Sequence, residues 1–292
     1  MNIDWPRTLI DEIMTDKLLI VPDDERVRTA ARIMEEYQVG SLLVCKEGKT
    51  IGILTEADIV RSLISTGLSL DETRVQTIMS GRRPITIRPY STIEEAYLSM
   101  ARNRIRHLIV VAEKVEEGEV EVGIVSVRDI LYPKEEVGEE VAAQWQQEIK
   151  SWIKGFPWTR RDRIEKIMTR KLVMVEGDEN ILKASTLMGS KQISTLLIKE
   201  EDKVKGVLSE TDIVRRVIAK SLDPEKTKTS EVMTGFPVTI SSKDPIDQAY
   251  SLMANKRIRH LVVTSRDRVV GIISARDLVC LPAMKIKRAW KK

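Results

Sequence analysis

The sequence predicts an α/β (α+β) protein made of four copies of one β-α-β-β-α repeat. A single order of elements recurs four times along the 292 residues, and each copy ends in a glycine-led strand followed by Ser/Thr-x-x-Asp. The first and third copies resemble each other, and so do the second and fourth, which indicates that a two-repeat module was duplicated. So small a unit cannot bury both faces of its sheet and helices, and we expect the copies to pair. The predicted repeats span residues 8–66, 72–133, 161–221 and 226–284.

Each element of the repeat has its own signal. A leading segment of the form apolar-Met-Ser/Thr comes first, as in Ile13-Met14-Thr15, and a short apolar run after it predicts the first strand. Apolar residues at i, i+3, i+4 and i+7 predict a helix whose methionine lies in the core. A wholly apolar run and the glycine-led run predict two further strands. The helical apolar positions are Val27, Ala30, Ala31 and Met34; Ile93, Ala96, Tyr97 and Met100; Ile181, Ala184, Ser185 and Met188; and Ile246, Ala249, Tyr250 and Met253.

Residues 134–160, between the second and third repeats, predict an amphipathic linker helix. Apolar residues recur there at helical spacing among charges, and we expect the helix to pack on its own protein rather than on a partner. The basic tail at 285–292 is expected to be a solvated terminus. The apolar positions of the linker are Val137, Val141, Trp145, Ile149 and Trp152.

Composition narrows the classes of partner. The formal net charge is only +4, an excess too small to favour nucleic acid. Cys45 and Cys280 lie far apart and form no metal or redox motif, so we predict free thiols and no metal site. No apolar stretch reaches membrane-spanning length, and the first residues lack the pattern of a signal peptide. We therefore expect a cytoplasmic protein that does not contact membranes.

The Ser/Thr-x-x-Asp motif stands at the predicted start of the second helix in every repeat. It has a structural interpretation, because the hydroxyl and the acid can form a capping box. It has a binding interpretation too, because a helix N-terminus attracts phosphate and a carboxylate accepts two hydrogen bonds from a ribose diol. The motif alone leaves both interpretations open. The four pairs are Thr55 and Asp58, Ser126 and Asp129, Ser209 and Asp212, and Ser274 and Asp277.

Basic residues near the motif are candidates for phosphate binding, since a guanidinium group pairs well with phosphate oxygens. Arginines directly precede the acid in the second and fourth repeats and follow it by three residues in the first and third. The two histidines each follow an arginine at equivalent positions. Two threonines on the first strands would place a hydroxyl beside adenine, although strand propensity alone also explains them. These candidates are Arg128, Arg276, Arg61, Arg215, Arg106, His107, Arg259, His260, Thr86 and Thr239.

These features together resemble the CBS (cystathionine β-synthase) domain family. The resemblance rests on the leading Ile-Met-Thr, the order of elements and the Gly-h-h-Thr/Ser-x-x-Asp ending, and it covers nearly the whole chain. It implies that the repeats pair into two modules forming a flat disc, as in the gamma subunit of AMP-activated protein kinase. It also implies roles for residues: the four aspartates would bind ribose, the motif hydroxyls would line the phosphate path, and Arg106, His107, Arg259 and His260 would approach the phosphates from the neighbouring repeat.

The odd repeats depart from this pattern, because Gly40-Ser41 and Ser194-Thr195 replace the Arg-His pair. We therefore expect nucleotide clefts of unequal affinity.

The resemblance implies a regulatory, non-catalytic protein that senses energy state through AMP, ADP or ATP and controls a separate partner protein. The adenine nucleotide would be a regulatory ligand rather than a catalytic cofactor, and a homodimer is compatible with this role. An interaction scaffold with vestigial clefts, or a sensor of S-adenosylmethionine or another adenosyl ligand, remains an alternative. We find no Ser-His-Asp order, metal cluster or Walker loop, and we predict no catalytic residue.

Overall fold

The computed structural model describes residues 4–80, 84–103, 105–114, 118–132, 139–155, 162–201 and 203–278. It confirms the predicted α/β class and the four β-α-β-β-α repeats. In each repeat a short leading helix or turn precedes a first strand, a long helix and an antiparallel hairpin. A second helix then begins at the Ser/Thr-x-x-Asp motif.

The helices and strands have the following bounds. Repeat one, after a 3-10 turn at Trp5–Arg7, comprises α1 (Ile10–Ile13), β1 (Ile20–Pro22), α2 (Val27–Glu36), β2 (Ser41–Lys46), β3 (Lys49–Thr55) and α3 (Glu56–Asp58), which continues as a π-helical segment (Ile59–Leu63) and a 3-10 turn (Ile64–Thr66). Repeat two comprises α4 (Val75–Ile78), β4 (Thr86–Ile87), α5 (Ile93–Asn103), β5 (His107–Lys114), β6 (Gly118–Ser126) and α6 (Val127–Leu131), and the linker helix is α7 (Glu139–Gly155). Repeat three comprises a 3-10 turn (Ile164–Lys166), β7 (Met174–Glu176), α8 (Ile181–Lys191), β8 (Thr195–Glu200), β9 (Lys203–Ser209) and α9 (Glu210–Ile213), which continues as a π-helical segment (Val214–Ile218). Repeat four comprises α10 (Thr229–Val232), β10 (Thr234–Gly235), β11 (Thr239–Ser241), α11 (Ile246–Lys256), β12 (His260–Ser265), β13 (Arg268–Ser274) and a helical stretch at 275–278.

The four sheets share one topology. In each, the first strand runs parallel to the middle strand, and the middle strand pairs antiparallel with the third. The registers match as well: Thr86 lies opposite Ile109 in repeat two, and Thr239 lies opposite Val262 in repeat four. A bulge interrupts every hairpin at the equivalent place. The sequence repeat is therefore a structural repeat down to the register.

A glycine in the third strand of each repeat contacts the methionine of a leading segment. A Cβ atom on Gly123 or Gly271 would lie 2.5 Å from the Sδ atom of Met14 or Met168, respectively. Because nonbonded carbon and sulfur atoms do not approach so closely, a side chain there would displace the methionine. The leading methionine and the strand glycine belong to separate sequence patterns, but in the structure they pack against each other.

Each leading segment pairs with a strand of a different repeat. The segment of repeat one joins repeat two and that of repeat two joins repeat one, and repeats three and four exchange their segments in the same way. Each leading segment therefore packs on the repeat next to its own in the sequence rather than on its own sheet. The paired residues are Thr15 with Ile124, Ser80 with Ile53, Thr169 with Ile272, and Thr234 with Val207.

The chain forms two compact units, each with its own core. The odd unit consists of the described parts of 19–84 and 172–237 and carries repeats one and three without their leading segments. The even unit consists of the described parts of 1–18, 85–171 and 238–292 and carries repeats two and four without theirs. The long helices turn their predicted apolar positions into these cores. Their methionines are fully buried, which confirms the predicted core role of Met34, Met100, Met188 and Met253.

The linker helix α7 packs within the even unit. Trp145 and Ile149 are buried there, and the indole N–H groups of Trp145 and Trp5 both donate to the Ile130 carbonyl, at 3.4 and 3.2 Å. The expectation that this helix packs on its own protein is confirmed. Val137, Cys280 and the tail at 285–292 lie outside the described residues, as does the side chain of Trp152.

The described part of the chain contains no helix that is both long and apolar enough to cross a bilayer. Nor does it contain a group of three or more His, Cys, Asp or Glu residues placed to hold a metal ion.

Candidate functional site

Every Ser/Thr-x-x-Asp motif forms a capping box at the start of its helix. In repeat two, the N–H and the hydroxyl of Ser126 both donate to Asp129 Oδ2, at 2.6 and 2.7 Å. The structural interpretation of the motif is therefore confirmed, but it accounts for only one of the two carboxylate oxygens. The same two bonds join Thr55 to Asp58, Ser209 to Asp212, and Ser274 to Asp277.

The start of the middle strand meets the motif in the same way in all four repeats. The N–H of the second motif residue donates to the carbonyl of the residue directly before the strand. The next residue lies opposite the motif hydroxyl in the hairpin, as His107 lies opposite Ser126 and His260 opposite Ser274. This shared backbone frame carries different side chains in the two units. The bonded pairs are Arg106 with Val127, Arg259 with Ala275, Gly40 with Glu56, and Ser194 with Glu210.

In the even unit the two Arg-His pairs converge, and we call Arg106, His107, Arg259 and His260 the even cluster. Burial lowers the pKa of each imidazole from 6.5 to about 3, and the charges of both arginines add to the effect. Arg276 contributes further at His260. Each histidine residue is only partly buried, yet its imidazole is neutral at physiological pH. A neutral imidazole can donate one hydrogen bond to an anion.

Two further residues support the even cluster. The Tyr132 hydroxyl donates to the Ile258 carbonyl at 2.6 Å, directly before Arg259 in the chain. Burial raises the pKa of Tyr132 to about 12, so it remains a donor that fixes this stretch of chain. Burial also raises the pKa of Asp129, against the opposing hydrogen bonds from Ser126. Arginines, neutral imidazoles and a capped carboxylate in a partly desolvated setting are groups that bind phosphate and ribose.

The first strand of every repeat exposes its first side chain. In the even unit this residue is Thr86 or Thr239, and in the odd unit it is Ile20 or Met174. The even unit thus presents hydroxyl groups where the odd unit presents apolar side chains. Contact of these residues with adenine stays a prediction.

The odd unit has a buried glutamate at the second motif position of both repeats. Arg61 Nε donates to Glu210 Oε1 at 2.6 Å, and Arg215 Nε lies 3.5 Å from Glu56 Oε1. Glu56 also accepts a hydrogen bond from the Thr211 hydroxyl at 2.6 Å. The glutamate side chains are only 3% and 2% exposed. The charges of Arg61 and Arg215, both predicted to approach phosphate, are therefore balanced by carboxylates that join repeats one and three.

The acid of repeat three has contacts beyond its capping box. Asp212 Oδ1 accepts a hydrogen bond from the Thr234 hydroxyl at 3.2 Å and lies 3.3 Å from Arg216 Nη1. The same Nη1 atom donates to the carbonyls of Val232 and Met233, at 2.8 and 3.0 Å. Both carboxylate oxygens of Asp212 are thus engaged within the odd unit.

Sequence reasoning missed Glu56, Glu210, Arg216 and Tyr132. A signal for the glutamates was present in the sequence. In both odd repeats the Ser or Thr of the motif is followed directly by a glutamate and, six residues after that Ser or Thr, by an arginine. Repeat two has neither residue at these positions. Residues that change together between equivalent positions indicate a contact, and here the contact is an ion pair between repeats.

Comparison with known proteins places this architecture in a family. The CBS domain matches at residues 10–65, 75–133, 164–219 and 230–282. The chain belongs to the CBS domain family. A CBS domain-containing protein of Arabidopsis thaliana is 32% identical over 279 residues, which cover 88% of this chain and 50% of that protein. The chain spans about half the length of these curated relatives.

Two solved structures share the whole four-domain fold. A protein of Methanocaldococcus jannaschii, described as a proposed archaeal homolog of g-AMPK, matches with a TM-score of 0.67 at 18% identity over 93% of this chain and 99% of its own. An uncharacterized conserved protein of Pyrococcus horikoshii matches with a TM-score of 0.53 at 19% identity over 93% and 98%. At these identities the comparison shows the fold. CBS domain proteins are typically regulatory and non-catalytic, and none of the relatives named above carries an enzyme's name.

Proposed function

We propose that the chain is a regulatory protein that binds adenine nucleotides through its even unit and controls a separate partner protein. The observation that carries the proposal is the convergence of the even cluster beside two motif acids. Arginines form charge-assisted hydrogen bonds with phosphate, and the neutral imidazoles add uncharged donors. In Asp129 and Asp277 the capping box uses Oδ2, and the other oxygen suits a ribose diol.

The odd unit supports the assignment by contrast. Its arginines at the equivalent interface are balanced by Glu56 and Glu210, so a phosphate approaching Arg61 or Arg215 would compete with a buried carboxylate. The even unit has Val127 and Ala275 in the places of these glutamates. A negatively charged ligand therefore gains more at the even cluster.

The proposed position of the phosphate, between repeats two and four, suggests how nucleotide binding could control a partner protein. The arginines of the even cluster come from repeats two and four, and a phosphate between them would favour arrangements in which the two repeats lie close together. A ligand that binds one arrangement more tightly than another shifts their populations. A partner that recognises one arrangement would then respond to nucleotide level, as an energy sensor requires.

Two alternatives make different predictions. In a scaffold with vestigial sites, the motif would serve only to cap its helix. Replacing a motif aspartate would then change the stability of the protein but not its binding of nucleotide. An S-adenosylmethionine sensor would bind a ligand that carries a sulfonium cation and no phosphate. The arginines of the even cluster suit a phosphate better than that cation.

Calorimetric titration of nucleotide-stripped protein separates these functions. We expect saturable binding of AMP, ADP or ATP that is tighter than binding of S-adenosylmethionine and is weakened by Asp129→Ala and Asp277→Ala. The ranking of the three nucleotides identifies the one that is sensed. Absence of heat with every ligand, together with no thermal stabilisation at millimolar nucleotide, would leave the scaffold as the better account.

A further inference from the structure

The acid of repeat three is placed differently from the other motif acids. Asp212 is 8% exposed, whereas Asp58, Asp129 and Asp277 are only half-buried. Its Oδ2 atom serves the capping box with Ser209, as in every repeat. Its Oδ1 atom, the one on which a ribose would rely, receives the Thr234 hydroxyl and faces Arg216.

The guanidinium of Arg216 is held in place by more than its charge. The ion pair with Asp212 is weak alone, because the arginine side chain is 48% exposed and solvent screens the attraction. The Nη1 atom, however, also donates to the carbonyls of Val232 and Met233 at the end of α10. These bonds keep the charge beside Oδ1 even when the ion pair contributes little.

Repeat one provides the internal comparison. Ser62 stands at the position equivalent to Arg216, four residues after Asp58. A serine side chain is too short to bridge one helical turn to the carboxylate as an arginine does. The two acids of the odd unit therefore differ by one residue in the turn that follows them.

We propose that Arg216, with Thr234, closes the ribose site of repeat three, so that Asp212 takes no part in nucleoside binding in the native sequence. The inference rests on the proposed function, since it assumes that a motif acid with an available carboxylate oxygen binds a vicinal diol. A diol needs a carboxylate whose outward lone pairs are available. At Asp212 a hydroxyl and a guanidinium already use them.

Calorimetry with adenosine, which has the diol but no phosphate, tests the closure. Arg216→Ser gives repeat three the residue of repeat one, and we expect one additional equivalent of adenosine to bind. Adding Asp212→Ala to Arg216→Ser should remove the extra equivalent.

The reverse exchange guards against a variant that merely disturbs folding. Ser62→Arg should lower adenosine binding that depends on Asp58, while thermal unfolding reports whether each variant keeps its fold. The closure would be overturned if Asp212→Ala lowered adenosine binding in the wild-type background, or if folded Arg216→Ser gained no adenosine binding. In either case, adenosine binding that depends on Asp129 would still support the proposed function. A complete lack of adenosine and AMP binding in every protein would overturn both.

Discussion

The odd and even units use one backbone frame with opposite charges. In both units, the N–H of the second motif residue donates to the backbone carbonyl of the residue directly before the middle strand. The even unit puts Arg106 and Arg259 at the strand start, whereas the odd unit puts Glu56 and Glu210 on the motif. The difference teaches that one frame can carry an ion-paired contact between repeats, as in the odd unit, or the site that we propose for anions in the even unit, depending on which of the two positions is charged.

The two units also hold their repeats together by different means. In the odd unit, ion pairs such as Arg61 with Glu210 cross between the repeats. In the even unit, the Tyr97 hydroxyl of repeat two donates to the Leu278 carbonyl of repeat four at 2.8 Å, and Tyr250 within repeat four donates to the same carbonyl at 2.8 Å. An uncharged hydroxyl group thus contributes to the contact between repeats two and four.

The largest expected effect comes from removing one carboxylate of the odd unit. Glu210→Ala leaves Arg61, whose side chain is only 17% exposed, without its partner, and we expect the free energy of unfolding to fall by about 3–5 kcal/mol. Chemical denaturation measures this loss. Replacing both residues by leucine should recover most of it, because an apolar pair leaves no uncompensated charge. A loss below about 1 kcal/mol for the single variant would mean that the ion pair does not hold repeats one and three together.

The next largest effect separates the two units by ligand affinity. Arg259→Ala should weaken AMP binding by about ten- to a hundredfold, because a charge-assisted hydrogen bond contributes ~1.5–3 kcal/mol. Arg61→Ala is the matched control, and it should leave AMP affinity within about twofold. Isothermal titration measures both. Equal weakening by the two variants would remove the functional distinction between the units.

Lowering the pH should reduce the stability of the protein through the even unit, which contains both histidines. Their pKa is about 3 in the folded protein and near 6.5 when unfolded, so the unfolded state binds more protons below pH 6.5. Stability is therefore expected to fall as the pH drops from 6.5 towards 3. At pH 5.5 the two imidazoles should together cost ~2–3 kcal/mol relative to pH 7.5. Denaturation at pH 7.5 and 5.5 should show a smaller loss in a His107→Asn, His260→Asn variant, and an equal loss would contradict this assignment.

The smallest expected effect concerns the first strands. Thr239→Val removes one hydroxyl beside the predicted adenine position, and one neutral hydrogen bond contributes ~0.5–1.5 kcal/mol. AMP affinity should therefore fall by less than about tenfold. Ile20→Val in the odd unit is the control and should change nothing measurable by titration. An unchanged affinity in Thr239→Val would assign this threonine to strand formation alone.

The sequence predicts the features that depend on local periodicity. The helical stripe with Met34, the hairpins and the packing of Trp145 in the linker helix follow from spacing along the chain and are confirmed. Which repeats contact each other does not follow from spacing. The exchange of leading segments and the ion pair between Arg61 and Glu210 join residues far apart in sequence, and the closure of Asp212 depends on side chains whose proximity only the fold creates.

A crystal structure of the chain grown with AMP tests the central claim most directly. We expect the phosphate oxygens to lie within about 3.2 Å of guanidinium nitrogens of Arg106 or Arg259, with the ribose on Asp129 or Asp277. A phosphate bound instead to Arg61 or Arg215, with its glutamate displaced and no nucleotide at the even cluster, would contradict the account.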